Sequence, residues 1–405
     1  MPLPSVAKLS LKPGHVQPIW AGHPWVFAQA VARLEGAPAA GAELEICDAR
    51  GTSLGRGLYS PGSAIIARVF SRDPAVPVDA ALFEQRLSAA VARRRDLGLP
   101  SGDTTGFRVV HAEGDGLPGL VVDRLGEVLA VQWGSIGLWQ RREVILDLLE
   151  RLLSPRAIVD RSSERTAKQE GFVAQSGIVR GSLDVQELDF FERGLRFVVP
   201  LSLGQKTGFY FDQRPLRARV EALSRDRRVL DTYCYAGAMA LAAARGGARE
   251  VVAVDTSAPA LEVARRAAVD NGFGERIHCV ESDALAELGR AQGRFDLVIC
   301  DPPKLAPSRS ARGRAADVLR RVARAANEAA RDGGLVVLSS CSAALGIAEL
   351  TRALALGARD AGREARVFER IFQGPDHPVP AAFPEGWYLS SVIAESLCSR
   401  ASQLE

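Results

Sequence analysis

The sequence contains no long hydrophobic run. None of its 405 residues lies in a stretch approaching the ~18 consecutive apolar residues that a membrane-spanning helix needs. The first residues, MPLPSVAKLSLKPG, lack the apolar core of a secretory signal peptide. We therefore expect neither a membrane span nor a secretory leader.

Cysteine is scarce, and the six cysteines are scattered over positions Cys47, Cys234, Cys279, Cys300, Cys341 and Cys398. No two of them form a CxxC pair, so their spacing indicates neither a zinc site nor a disulfide framework. We predict that the chain has no metal site and works in the reducing cytoplasm.

The chain also has little net charge. A formal charge of +3 is too small to indicate a polyanionic partner by itself. Between Lys304 and Arg324, however, seven basic residues accompany one acid, Asp317. Such a block either attracts phosphate backbones or forms the solvated face of an arginine-rich helix, and the sequence leaves both interpretations open.

The remaining composition is that of an ordinary folded chain, with 47% hydrophobic and 24% charged residues. Its length suggests two or three domains. Changes of pattern favour three regions, 1–72, 73–184 and 185–405. Short strands and turns predict a small β-rich module in the first region, and the second mixes strands with helices predicted over 83–97 and 142–153.

After about residue 225 the pattern becomes regular. Apolar runs of about five residues alternate with helical segments of 10–15 residues, which indicates βαβ units. The fold class is therefore α/β with a doubly wound parallel sheet. Ligands of such sheets bind at the carboxyl ends of the strands, so the site residues should follow the strands.

Carboxylates end three successive predicted strands, at Asp231 in DTYCYAGA, at Asp255 and at Asp283. An acid after the second strand can accept both hydroxyls of a ribose. Asp283 can hold the amino group of an adenine or simply cap a helix. Gly237 is the only glycine in the first turn, and the GxGxxG motif of dinucleotide-binding folds is absent. S-adenosylmethionine fits better than a dinucleotide, because acidic side chains can stabilise its positively charged sulfonium group.

The fourth and fifth predicted strands end in FDLVICDPPK and GLVVLSSCS, which place Asp301 and Cys341 at neighbouring strand ends. A thiolate that adds to carbon 6 of a pyrimidine makes carbon 5 nucleophilic, and a base then removes the carbon 5 proton. Serines surround Cys341, whereas Cys300 should point into the core because side chains alternate along a strand. Lys304 follows in the same loop as Asp301, and a nearby cation lowers a thiol pKa.

These motifs, with GQKTGFYFDQR at 204–214 and HPWVF at 23–27, resemble the large-subunit ribosomal RNA cytosine-5 methyltransferase I family over nearly the whole chain. The resemblance implies a PUA-like RNA-binding domain over 1–72, a central α/β domain over 73–184 and a class I methyltransferase domain over 185–405. It also implies an enzyme that uses S-adenosylmethionine to methylate carbon 5 of a cytosine in 23S ribosomal RNA, as a homodimer.

The resemblance implies roles for individual residues as well. The methyl donor would contact Thr207, Phe209, Asp231, Tyr235, Gly237, Asp255, Asp283 and Asp301. The RNA would contact Gln205, Lys206, Asp212, Arg214, Pro302 and Pro303, and the catalytic residues would be Cys341, Asp301 and Lys304. Taken by itself, GQKTGFYFDQR presents either exposed aromatic rings that clamp a nucleotide or a strand that buries them.

A second cysteine, in a Pro-Cys pair after the strand-four Asp, is typical of another group of cytosine-5 RNA methyltransferases. Here Pro302-Pro303 stands at that place. Another group must then take the carbon 5 proton, and the candidates are His377, Glu385 and Asp301. For His377 and Glu385, turn and hairpin structure is the alternative explanation.

Other functions fit the same motifs. Uridine carbon 5 is the nearest alternative because the same cysteine chemistry serves both pyrimidines. Methylation of the exocyclic amine of guanine would leave Cys341 idle. A non-catalytic RNA-binding or ribosome-assembly factor would keep the fold without binding the donor. A small-molecule methyltransferase is disfavoured because ~180 residues precede the catalytic region.

Overall fold

The protein is described here by a computed structural model, which covers residues 6–184, 186–203, 207–305 and 312–399. Its contacts divide the chain into two compact units. Unit 1 consists of Met1–Gly194, Pro200–Phe209 and Pro375–Gly386, and unit 2 consists of Leu195–Val199, Tyr210–Gly374 and Trp387–Glu405.

The N-terminal part of unit 1 is a β sheet. Its strands, as far as the chain is described, are β1 (Ala7–Leu11), β2 (Trp25–Phe27), β3 (Val31–Glu35), β4 (Glu43–Cys47), β5 (Ser53–Tyr59) and β6 (Ile65–Ser71), with α1 (Val16–Ala21) after β1. The strand order is β2-β6-β5-β4-β1-β3. The alternation of apolar residues along β1 and β4 buries Leu9, Leu11, Leu44 and Ile46 in one core.

The second part of unit 1 mixes strands and helices, as the sequence predicts. The strands are β7 (Gly106–His111), β8 (Leu120–Leu125), β9 (Val128–Trp133), β10 (Ala157–Asp160) and β11 (Gly177–Gly181), in the order β11-β10-β9-β8-β7. The helices are α2 (Ala80–Asp96), α3 (Ile136–Gln140), α4 (Arg142–Leu153) and α5 (Glu164–Glu170). Helix α2 begins three residues before the predicted start because Asp79 caps it, accepting a hydrogen bond from the Leu82 amide at 3.1 Å.

Strands β12 (Glu187–Glu192) and β13 (Leu195–Pro200) lie where the chain passes from unit 1 to unit 2. The sheet of unit 2 is formed by β14 (Arg228–Thr232), β15 (Glu250–Asp255), β16 (Ile277–Glu281), β17 (Phe295–Cys300), β18 (Ala330–Ser340), β19 (Arg363–Phe372) and β20 (Ser390–Cys398). The helices are α6 (Arg214–Leu223), α7 (Ala238–Arg245), α8 (Ala258–Asp270), α9 (Ala284–Ala291), α10 (Arg312–Ala329) and α11 (Ile347–Asp360).

The unit 2 sheet confirms the predicted doubly wound α/β class. Its order is β16-β15-β14-β17-β18-β20-β19, and neighbours from β16 to β18 are parallel. Strand β20 runs antiparallel to both β18 and β19. Helices α9, α10 and α11 cover one sheet face around a shared apolar core. Among the described residues, no helix is both long and apolar enough to cross a membrane.

A buried ion pair lies in unit 1. The Arg94 guanidinium donates to both Asp115 oxygens, at 2.6 and 2.8 Å, and both side chains are buried. Asp115 also accepts from the His111 amide at 2.6 Å and from Arg93. The geometry is bidentate, and it holds α2 against the end of β7.

Removing the Asp115 charge should destabilise unit 1 strongly. We expect Asp115→Asn to lower the free energy of unfolding by about 3–5 kcal/mol, because it leaves Arg94 buried without its counter-ion. The matched control is Glu84→Gln, which breaks a solvent-exposed pair with Arg151 and should cost less than about 1 kcal/mol. Urea unfolding followed by circular dichroism measures both, and equal effects would contradict this account.

Candidate active site

Three carboxylates lie on one face of the unit 2 sheet, at the carboxyl ends of neighbouring strands. Asp231 on β14 pairs with Ile299 on β17, and Asp301 comes two residues after Ile299. Asp231 also pairs with Ala253 on β15, and Asp255 comes two residues after Ala253. Because side chains alternate along a strand, all three carboxylates project to the same side. The three acids therefore lie at the carboxyl ends of adjacent strands, β15, β14 and β17.

Asp231 is the most deeply buried of these acids, with 1% of its surface exposed. Burial raises the pKa of its carboxyl well above the usual value, and the charges of Asp301 and Asp255 raise it further. Its Oδ2 atom is buried and has no hydrogen-bond partner among the described residues. A cationic ligand at this edge would reduce the repulsion among the acids.

The turn after β14 has an unusual backbone. Tyr233, Tyr235 and Gly237 all have positive φ, with Gly237 at 74°. A Cβ atom at Gly237 would lie 2.8 Å from the Cβ of Ala264 in α8, so only glycine fits. The Tyr235 amide donates to Asp255 Oδ2 at 2.9 Å, which fixes the turn against the end of β15. The turn therefore brings bare backbone to the place where a ligand would bind.

Asp283 has the helix-capping contact that the sequence left open. Its carboxylate accepts a hydrogen bond from the Ala286 amide at 3.0 Å and caps α9. The side chain is nevertheless exposed, and its charge adds to the burial that raises the pKa of the Tyr233 hydroxyl. Asp283 thus lies near the turn after β14, and its contact with an adenine stays a prediction.

Cys341 follows β18 and lies beside Asp301. Strands β17 and β18 are parallel neighbours, with Cys300 paired to Leu338. Asp301 is one residue beyond that pair and Cys341 three, so the two share a sheet face. The Cys341 side chain is half-buried rather than sealed in packing. The flanking serines are polar but buried, and Ser339 Oγ lies 2.8 Å from Ser391 Oγ.

Cys300 has the core environment predicted for it, whereas the other four cysteines differ in burial. Cys300 is fully buried on the opposite sheet face, and burial raises the pKa of its thiol to about 12. Cys47 and Cys234 are buried as well, and Cys279 and Cys398 are half-buried. Among the described residues, no group of three His, Cys, Asp or Glu side chains could hold a metal ion.

Tyr210 lies close to both the acids at the strand ends and the Cys341 thiol. Burial raises the pKa of its hydroxyl, and the charges of Tyr235, Asp301, Asp212 and Cys341 add to that shift. Its ring lies edge-on to the Tyr235 ring, with centroids 5.5 Å apart. These interactions locate Tyr210 between the turn after β14 and the tips of β17 and β18.

Two polar residues of this site were missed from the sequence. Gln213 Nε2 donates to Asp301 Oδ2 at 2.6 Å and so orients that carboxylate. The Tyr388 hydroxyl donates to Asp212 Oδ2 at 2.7 Å. Gln213 could have been predicted, because it lies inside the GQKTGFYFDQR motif. Tyr388 could not, because it is 176 residues from its partner and belongs to no motif singled out in the sequence.

The expected aromatic clamp is wrong for two of its three rings. Phe209 and Phe211 are 2% and 1% exposed, so neither offers a face for stacking. The alternative is right about the burial of these two rings but wrong about a strand, because Phe211–Gln213 form a 3-10 turn. Tyr210 is half-buried. Phe209 and Phe211 thus pack inside the protein, and only the Tyr210 ring keeps a partly accessible surface.

The remaining residues of this motif have separate surroundings. Thr207 is fully buried in unit 1, where its hydroxyl donates to Asp123, and Phe209 packs on Phe190 there. Gln205 and Lys206 lie outside the described residues. The predicted contacts of all four with donor or RNA stay predictions.

Arg214 begins α6 and is half-buried. In the loop after β17, Pro302 is buried while Pro303 and Lys304 are exposed. The sharp exit at the two prolines fits a chain that can no longer donate amide hydrogen bonds to the sheet. Lys304 and Pro303 are thus accessible to a ligand at the strand ends.

The two downstream candidates for the base belong to unit 1, whereas Cys341 belongs to unit 2. His377 is buried, with Nδ1 3.0 Å from Asp376 Oδ1. Glu385 Oε2 lies 3.2 Å from His23 Nε2. Both side chains thus have structural partners inside unit 1.

The basic block from Lys304 to Arg324 is largely the face of α10. Its ion pairs are Arg312 with Glu349, Arg320 with Asp360 and Arg324 with Glu328. Arg309 lies outside the described residues. The structure favours the solvated helix face over a dedicated phosphate site, because three of the arginines already have acidic neighbours.

Comparison with known proteins gives consistent matches. The profile of a PUA-like domain matches residues 9–72, and that of the S-adenosylmethionine-dependent methyltransferases matches residues 121–383. A protein of Shewanella amazonensis named ribosomal RNA large subunit methyltransferase I is 36% identical over 96% of this chain and 98% of its own length. A protein of the same name from Escherichia coli O139:H28 is 36% identical over 94% and 97%.

Solved structures show the same fold at low sequence identity. A methyltransferase determined in complex with SAH has a TM-score of 0.84 at 17% identity, covering 96% of this chain and 100% of that one. A SAM-dependent methyltransferase from Streptococcus mutans has a TM-score of 0.82 at 17% identity with the same coverage. The predicted combination of a PUA-like β domain with a class I methyltransferase sheet is confirmed.

Gly237→Ala should weaken binding of S-adenosylmethionine by about tenfold or more, because the positive φ and the contact with Ala264 both force the turn to move. Isothermal titration calorimetry measures the affinity. The control is Gly289→Ala in α9, where an added Cβ meets no atom within 4 Å. That variant should bind the donor normally and gain about 0.5–1 kcal/mol of stability. Unchanged donor affinity in Gly237→Ala would contradict the account of this turn.

Asp231→Asn should stabilise the donor-free protein, and more so as the pH rises. The folded state raises the pKa of Asp231, so above about pH 4 the unfolded chain loses a proton that the folded chain keeps. That difference favours unfolding of the wild type by about 1.4 kcal/mol for each pKa unit. Thermal unfolding at pH 4 and pH 7 measures the gain. The exposed Asp283→Asn variant is the control, and a gain at pH 4 equal to that at pH 7 would refute the prediction.

Proposed function

This chain belongs to the S-adenosylmethionine-dependent methyltransferase family and, within it, to the ribosomal RNA large subunit methyltransferase I family, and from that premise we propose that it methylates carbon 5 of a cytosine in large-subunit ribosomal RNA. One observation carries the proposal. The half-buried thiol of Cys341 lies on the same sheet face as the carboxylates of Asp231 and Asp301.

The residues at the strand ends fit the donor. Asp231 has a buried oxygen without a described partner, and Gly237 leaves a cradle that a Cβ would fill. Asp255 would hold the ribose hydroxyls, and Asp283 would hold the adenine amino group. Tyr235 would line the donor site at the turn after β14. When bound, S-adenosylmethionine supplies an electrophilic methyl group on a cationic sulfur.

Cys341 acts on the pyrimidine. Its thiolate forms a bond to carbon 6, and the electron pair of the carbon 5–carbon 6 double bond moves to carbon 5. Carbon 5 would then accept the methyl group that the donor supplies, and the electron pair of the methyl–sulfur bond would stay with the donor's sulfur. Loss of the carbon 5 proton restores the double bond and expels the thiolate.

Asp301 is the base that we assign to the last step. Its carboxylate lies on the sheet face of Cys341, and Gln213 Nε2 holds one oxygen at 2.6 Å. A carboxylate oriented in this way suits proton removal. Lys304, which is exposed in the same loop, would favour the thiolate by its charge.

The RNA would meet the residues around this centre. Gln205, Lys206, Asp212, Arg214, Pro302 and Pro303 are the proposed contacts with the target nucleotide. The PUA-like domain would hold the folded RNA around it, and phosphate contacts would supply most of the affinity. The homodimer and the cytoplasmic location remain predictions.

Cys341→Ala should abolish methylation, because no thiolate is then available to activate carbon 5. The matched control is Cys279→Ala, which removes another half-buried thiol and should retain activity. The assay uses protein-free ribosomal RNA from a strain lacking this enzyme, with mass mapping of the product. RNA carrying 5-fluorocytidine should form a covalent adduct with the wild type that survives denaturation, since fluorine at carbon 5 blocks the final elimination.

The same assay separates the alternatives. Activity that survives in Cys341→Ala would exclude the covalent mechanism and favour guanine amine methylation. A 5-fluorouridine adduct without a 5-fluorocytidine adduct would assign uridine as the target. In Asp301→Asn, ordinary RNA should accumulate as the adduct, and the absence of that adduct would remove Asp301 as the base. A chain that binds no donor in calorimetry would be an assembly factor.

A further inference from the structure

The PUA-like domain carries a large aromatic side chain that the proposed chemistry does not use. Trp20 in α1 is 76% exposed, although its neighbour Ile19 is 3% exposed and packs into the core of the domain. Tryptophan is enriched at interfaces, because its indole ring combines a large apolar face with a polar N–H group.

The backbone beneath Trp20 is firmly held. Arg72 donates to the carbonyl oxygens of Ile19 at 2.7 Å and His23 at 2.9 Å. Gly22, at φ 116°, ends the helix, and its amide donates to the Ile19 carbonyl at 3.1 Å. Because α1 is anchored on both sides of Trp20, the ring is presented from a rigid support and little backbone entropy is lost when it binds.

The chain segment that contains Trp20 carries basic side chains and no acidic ones. The first 34 residues contain no Asp or Glu, and the first acid is Glu35. Lys12 and His15 are exposed in the turn that leads into α1. Lys8 and Arg33 pair with acids, so Lys12 and His15 are the basic side chains that this segment offers. An aromatic ring beside basic side chains complements a polyanion that has flat bases.

We propose that Trp20 is a stacking platform for an unpaired base of the RNA, with Lys12 and His15 beside the adjoining phosphates. This inference rests on the proposed function, because it takes RNA as the substrate. It adds a second recognition point on the PUA-like domain. Every base has a π-face, so the platform selects single-stranded RNA rather than one sequence.

The test compares wild type, Trp20→Ala and Trp20→Phe as full-length protein. The exposed Val173→Ala variant, at a position that is 80% exposed in unit 1, is the control for loss of surface apolar area. The probes are protein-free, unmethylated large-subunit ribosomal RNA and a single-stranded oligoribonucleotide with its duplex form. Trp20→Ala should bind the ribosomal RNA and the single strand about tenfold more weakly, with unchanged affinity for the duplex and for the donor.

Trp20→Phe should retain binding within about threefold, since phenylalanine keeps a stacking face. Val173→Ala should match the wild type. Equal RNA affinity of Trp20→Ala and wild type, or an equal loss in Trp20→Phe, would overturn the platform while leaving methylation by the wild type intact. Loss of duplex binding as well would point to general electrostatics or a protein partner and would also overturn it. A wild type that neither binds nor methylates RNA would instead refute the proposed function.

Discussion

Repulsion among the carboxylates at the ends of β14, β15 and β17 is the constraint on which the site depends. Asp231 is buried beside Asp301 and Asp255. Burial raises the pKa of its carboxyl, and the charges of the two neighbouring acids raise it further. Selection for stability alone would favour a neutral residue in place of Asp231. Binding of a cationic ligand explains why the cluster of acids is kept. The positive-φ turn ending at Gly237 serves the same ligand, because it brings the backbone close without a side chain.

Strand periodicity then decides which thiol can take part in chemistry. Cys300 ends β17 and Cys341 follows the neighbouring strand β18, and the alternation of side chains along the strands directs the two thiols to opposite faces. Burial raises the pKa of Cys300, which makes it an inert core residue. Cys341 shares the face of the acids and is half-buried. The same alternation thus directs the acids and the nucleophilic candidate to one edge.

The local sequence pattern made the sheet, the acids at the strand ends and the position of Cys341 predictable. Buried parallel strands are short runs of apolar residues, and the alternation of side chains fixes the sheet face to which each residue points. Contacts between distant segments were not predictable. Gln213 reaches Asp301 across 88 residues, and Tyr388 reaches Asp212 across 176. The edge pair β19 and β20 was missed for the same reason, and burial of Phe209 and Phe211 depends on packing that the motif does not encode.

The most direct test of this account is a crystal structure of the chain with S-adenosylhomocysteine. We predict that its ribose hydroxyls will contact Asp255 and that its sulfur will lie at the edge shared by Asp231 and Asp301. The Cys341 thiol should face that sulfur, with room for one pyrimidine ring between them. A ligand bound elsewhere, or a Cys341 side chain turned to the face of Cys300, would contradict it.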